Sequence, residues 1–96
     1  MVNAGNLQKK LRPVFARYGI RKAILFGSVA SGTNTENSDI DILVDSHLKG
    51  LQFVGLLEDI RQTCGAEIDL FDTAHIVKGS PVDGRIRETG RVIYEE

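Results

Sequence analysis

The chain has 96 residues, 42% of them apolar and 26% charged, and its twelve basic and thirteen acidic side chains leave a net charge of −1. Those values suit a soluble domain with a core able to fold alone, and they lack the basic surplus expected of a protein whose main partner is nucleic acid. No secretory signal or membrane-length apolar run is present, so a cytoplasmic protein with no membrane partner is expected, and the single Cys64 excludes an internal disulfide.

The first element is a helix. Leu7, Leu11, Val14, Phe15 and Tyr18 fall at helical spacing, with Asn6 as a possible cap and Gly19 as a stop. Pro13 lies inside that pattern, and a mid-helix proline predicts a kink or two short pieces. Ala23-Ile24-Leu25-Phe26 then reads as a buried strand ended by Gly27.

Gly27 and Ser28 open a tight turn. Glycine lets the backbone pass close to a ligand, and Ser28 is a good N-cap for a short helical turn through Ser31. A helix start aims free N–H groups and positive dipole at an anion. The same pair also fits an ordinary strand-ending turn. No lysine follows at the spacing of a Walker-type phosphate loop.

After ten residues that follow Ser28 comes Asp39-Ile40-Asp41, running into Ile42-Leu43-Val44. Alternate side chains on a strand share a face, so Asp39 and Asp41 lie together, roughly 7 Å apart at Cα, with Ile40, Ile42 and Val44 opposite. Like charges on one face become favourable when a cation sits between them, and Mg²⁺ takes oxygen ligands from one or two carboxylates plus phosphates. Alone, the pair fits a solvated strand edge equally well. Glu67-Ile68-Asp69-Leu70-Phe71 repeats the layout, and if the two strands are neighbours Asp69 converges on Asp39 and Asp41. Asp72 faces away and reads as a strand-ending turn residue.

Phe53, Leu56, Leu57, Ile60 and Cys64 form a second helical stripe closed by Gly65. Ser80 caps a third helix with Pro81 at its first position and Gly90 at its end, and Arg91 to Tyr94 is a last strand. His47 and His75 fall in loops, and no histidine is placed to serve Ser28 in a nucleophilic triad. The order predicts an α/β fold, with residues 1–96 as a single domain built on a small mixed sheet of about four strands covered by helices.

The Gly-Ser pair, the ten-residue gap, Asp-x-Asp and a third aspartate in a later strand together resemble the DNA polymerase beta superfamily of nucleotidyltransferases. Within it, the small chain is similar to the minimal nucleotidyltransferases encoded beside HEPN-domain proteins in prokaryotic toxin–antitoxin pairs. The resemblance runs through the entry helix, Leu25-Phe26-Gly27-Ser28, Ser38-Asp39-Ile40-Asp41-Ile42-Leu43-Val44, Ile68-Asp69-Leu70 and Val92-Ile93-Tyr94. It implies a Mg²⁺-dependent transfer of AMP from ATP, the nucleoside triphosphate donor, to a tyrosine hydroxyl of a partner HEPN ribonuclease toxin. It also implies that Gly27 and Ser28 hold the phosphates, that Asp39 and Asp41 bind Mg²⁺, and that Asp69 completes the metal site and helps deprotonate the acceptor.

One departure stands out. Such proteins often carry arginine where this chain has Val29 and, especially, Ser31. Arg85 and Arg87 are candidates to replace that charge, and sequence alone places neither. Two other readings remain: a binding module that neutralises the HEPN partner by complex formation, and an antibiotic nucleotidyltransferase, which the chain has little room to be.

Overall fold

The computed structural model describes residues 3–35 and 37–96. In order these form α1 (Ala4–Arg17), β1 (Lys22–Phe26), α2 (Ser28–Ser31), β2 (Ile40–Asp45), α3 (Leu51–Cys64), β3 (Ile68–Asp72), a 3-10 turn (Thr73–His75), α4 (Pro81–Thr89) and β4 (Arg91–Glu95).

The four strands make one sheet in the order β3-β2-β1-β4. The short path from β1 to β2 permits only an antiparallel return, and β1 also pairs antiparallel with β4. The longer route through α3 brings β3 in parallel to β2. The sheet is therefore mixed, as the connection lengths require.

Alternation along the strands divides the sheet into two faces. Ala23, Leu25, Ile40, Ile42, Val44, Ile68 and Ile93 point into the main core, where Leu7, Leu11, Val14 and Phe15 of α1 and Leu56 and Ile60 of α3 meet them. Phe15 and Tyr94 stack with ring centroids 5.5 Å apart. The other face carries Ile24, Phe26, Asp41, Leu43, Asp69 and Phe71, and α4 covers part of it through Arg85. One face thus builds the core, and the other is left for chemistry.

Local signals set the helix ends. Asn3, rather than Asn6, caps α1, its side chain accepting from the Asn6 N–H at 2.9 Å. Ala4 is buried, so the first turn belongs to the core and the helix begins earlier than the leucine stripe suggests. Pro13 does not divide α1, which is a single helical span. Pro13 and Lys9, whose carbonyl loses its partner, are both exposed, so water reaches that carbonyl. Gly65 ends α3 at φ 63°, its N–H donating to the Arg61 carbonyl at 2.8 Å. Ser80 caps α4 by accepting from the Asp83 N–H at 3.2 Å, with Pro81 at the first position. No helix among the described residues is long and apolar enough to cross a membrane.

Candidate active site

Asp41 and Asp69 occupy matching positions on the parallel pair β2–β3. Their side chains leave the same face, and each is followed two residues on by an apolar residue, Leu43 and Phe71. Phe71 packs on the buried Phe26 at 5.8 Å between ring centroids, giving the carboxylates an apolar floor. Asp41 is only 5% exposed. Burial pushes its carboxyl above the ordinary aspartate range. Arg85 pulls it down, and Asp69, in hydrogen-bonding reach, pushes it up again by charge and by that bond. Two carboxylates this close repel one another, and a cation between them relieves that repulsion.

The Gly27 turn lies directly against this pair. Gly27 adopts φ 79° and ψ −156°, a conformation that side chains oppose. A Cβ at Gly27 would run into Asp41 Oδ2 and stand 3.0 Å from Arg85 Nη2. The turn needs glycine for both reasons. Its N–H donates to Thr89 Oγ1 at 2.7 Å, so it is not free to meet a phosphate. Gly27, rather than Ser28, is the N-cap of α2, and Ser28 is the first helical residue. Among the described residues the Ser28 hydroxyl makes no hydrogen bond, which leaves it available to a ligand.

Arg85 completes the arrangement. Its Nη2 lies 2.6 Å from Asp41 Oδ2, and its guanidinium sits over the Phe26 ring at 5.5 Å. Arg87 instead pairs with Asp83 along the exposed side of α4, at 3.2 Å. Of the two arginines weighed from sequence, only Arg85 reaches the site. A signal for it does exist. Val82 and Ile86 form the apolar stripe of α4, and Arg85 and Thr89, four residues apart, flank that stripe.

The remaining expected residues fall as follows. Asp39 is exposed and immediately precedes β2. Among the described residues no three His, Cys, Asp or Glu side chains gather closely enough to hold a metal ion. Asp41 Oδ2 is turned to Arg85. Ser31 is exposed, its hydroxyl donating to the Ser28 carbonyl at 3.2 Å and lying 2.9 Å from Thr33 Oγ1, so it steadies its own turn and brings no charge. Asp72 is buried and ends its strand as the cap of the 3-10 turn, accepting from the Ala74 N–H at 3.0 Å and from the Ser46 hydroxyl. His47 and His75 are exposed; His47 leans on Asp45 and His75 meets the edge of the Phe53 ring.

The donor set fits a hard divalent cation. Asp41 and Asp69 offer carboxylate oxygens side by side on rigid strands, and one of the two acids is buried and disfavoured as a bare anion. Mg²⁺ binds through one or two carboxylates and completes its shell with water and substrate phosphate.

Residues 9–96 match the family described as polymerase beta, nucleotidyltransferase. The protein adenylyltransferase MntA of Thermococcus cleftensis is 35% identical over 74 residues, which cover 75% of this chain and 72% of that protein. A crystal structure of a toxin–antitoxin with AMP-PNP superposes with a TM-score of 0.78 at 22% identity, covering 93% of this chain and 73% of the other. A tri-AMPylated Shewanella oneidensis HEPN toxin in complex with MNT antitoxin gives a TM-score of 0.72 at 16% identity, covering 97% of this chain and 73% of the other. At those identities the two structures share the fold. The family match takes in the Gly27 turn, both acidic strands and α4, and the chain belongs to the polymerase beta nucleotidyltransferase family.

Proposed function

We propose that this nucleotidyltransferase moves AMP from ATP to a tyrosine hydroxyl of a HEPN-domain ribonuclease toxin and so acts as its antitoxin. The observation that carries the reading is the in-register pair Asp41 and Asp69 beside the Gly27 turn. A surface used only for binding has no need to set two acids side by side, one of them buried. The Thermococcus relative, a protein adenylyltransferase, and the Shewanella complex, whose HEPN toxin is AMPylated, support a protein acceptor and a HEPN partner, and the tyrosine is what the family resemblance implies.

In this reading Ser28 donates a hydrogen bond to the triphosphate. Asp41 and Asp69, joined by Asp39 from the position just before β2, are the carboxylates that would hold Mg²⁺. Bound Mg²⁺ supplies charge neutralisation to the triphosphate and acidifies a nearby hydroxyl. Asp69 accepts the proton of the attacking hydroxyl. The acceptor oxygen bonds to the α-phosphorus, the bond from that phosphorus to the α,β-bridging oxygen breaks, and pyrophosphate leaves with the electron pair. Burial of Asp41 and the apolar floor of Phe26 and Phe71 keep these groups in place.

The test is to incubate the protein with ATP, Mg²⁺ and a HEPN-domain partner and to map the partner's peptides by tandem mass spectrometry. AMP on a tyrosine is expected. AMP confined to serine, threonine or a nucleic-acid end would contradict the tyrosine assignment.

A further inference from the structure

We propose that Arg85 is the residue that positions the triphosphate, pairing with Asp41 in the free protein and with the β- and γ-phosphates once metal and nucleotide are bound. The inference rests on the nucleotidyltransferase reading of the same site.

Three observations place it. Arg85 Nη2 is 2.6 Å from Asp41 Oδ2 and stands within 3.0 Å of the point a Gly27 side chain would occupy, so its charge lies at the turn itself. The guanidinium is held over Phe26 while its side chain remains 49% exposed, which leaves donors on the open side. The helix that carries it is tied to the turn: the Gly27 N–H donates to Thr89 Oγ1, and that hydroxyl donates to the Arg85 carbonyl, each at 2.7 Å. Movement of the turn is thus transmitted to the backbone of Arg85.

Electrostatics supplies the exchange. Arg85 is the one cation paired with Asp41 among the described residues. A divalent ion arriving at Asp41 competes with the guanidinium for Oδ2, because two positive groups cannot share that oxygen without repulsion. The displaced guanidinium is planar, permanently charged and forked, which suits phosphate oxygens better than any other side chain. With Ser31 uncharged and Arg87 turned to Asp83, Arg85 meets the triphosphate charge at the turn.

The exchange predicts effects of opposite sign. Arg85→Ala should bind Mn²⁺ alone more tightly, read by electron paramagnetic resonance, because the competitor is gone. The same variant should bind AMP-PNP with Mg²⁺ about tenfold to a hundredfold more weakly, the scale of hydrogen bonds to a charged group. Its affinity for AMP, which lacks the outer phosphates, should match wild type. Arg85→Lys keeps the charge without the fork and should fall between; it also serves if the alanine variant does not fold. Unchanged AMP-PNP affinity, or Mn²⁺ and AMP-PNP affinities that fall together, would overturn the role of Arg85 and leave the wider reading intact. A wild-type protein that binds neither Mn²⁺ nor AMP-PNP would overturn both.

Discussion

Asp41 sets its carboxylate in the space that a side chain on Gly27 would fill. Gly27 directly follows β1 and Asp41 lies on the adjacent antiparallel β2, where Phe26 stands opposite Asp41 in register. The turn proposed to meet the nucleotide and the acid that would hold the metal are therefore packed against one another.

Gly27→Ala should damage that unit twice, through the collision with Asp41 and through a φ of 79° that alanine resists. The expected loss of stability is about 1–3 kcal/mol. Chemical denaturation checks it, and a variant as stable as wild type would show that the turn relaxes freely.

Ser28→Ala should leave stability unchanged, since its hydroxyl bonds nothing among the described residues. Affinity for AMP-PNP with Mg²⁺ should fall by about 1.5–3 kcal/mol, the worth of a hydrogen bond to a charged group. Calorimetric titration measures it. Equal affinities would reduce Ser28 to a turn residue.

Much of this arrangement is legible in the sequence. Alternation alone sets the faces of β2 and β3, so pairing the two strands is enough to bring Asp41 and Asp69 together. The caps Ser80 and Gly65 and the stripe of α3 follow from helical spacing and have the same local origin. Arg85 is legible only as a residue flanking the apolar stripe of α4, and the sequence does not say that it reaches Asp41. Its partner is 44 residues away, and α4 is tied to the Gly27 turn by the bond from the Gly27 N–H to Thr89, which no local pattern reports. Asn3 escapes notice because the first turn of α1 adds only Ala4 to the core, too weak a signal to extend the leucine stripe. Pro13 leaves α1 undivided because the cost of a helical proline depends on whether water reaches the freed carbonyl, and periodicity does not report that.

Asp72 should anchor the fold rather than the chemistry. Burial pushes its carboxyl up, but hydrogen bonds from the Ser46 hydroxyl, the Ala74 N–H and the Ser46 N–H outweigh that and hold it below 3.8, its ordinary value. A depressed acid in the native state means that the unfolded chain takes up the proton first. The stabilisation is therefore full well above pH 3.8 and is lost as pH falls through the lower, folded value. Asp72→Ala should cost about 1–3 kcal/mol at neutral pH by stranding Ser46, with the deficit shrinking in acid. Thermal melts across pH test it; a deficit that grows in acid would reverse the sign.

Ser31→Arg separates missing charge from charge already supplied. In the wild-type background it should change AMP-PNP affinity less than twofold, because Arg85 already stands at the turn. In an Arg85→Ala background it should recover part of the lost affinity. A large gain in wild type would mean that the triphosphate charge is poorly met without it.

The central claim is that Asp41 and Asp69 transfer AMP to a partner protein. Intact-mass spectrometry of a HEPN-domain partner after incubation with ATP and Mg²⁺ tests it most directly, using wild-type protein beside Asp41→Asn and Asp69→Asn. The account predicts a mass increase of one or more AMP units with wild type and none with either variant, while both variants still fold and still bind the partner. An equal mass shift with the variants, or none with wild type under conditions where the complex forms and neutralises the toxin, would contradict it and leave a protein that acts by binding.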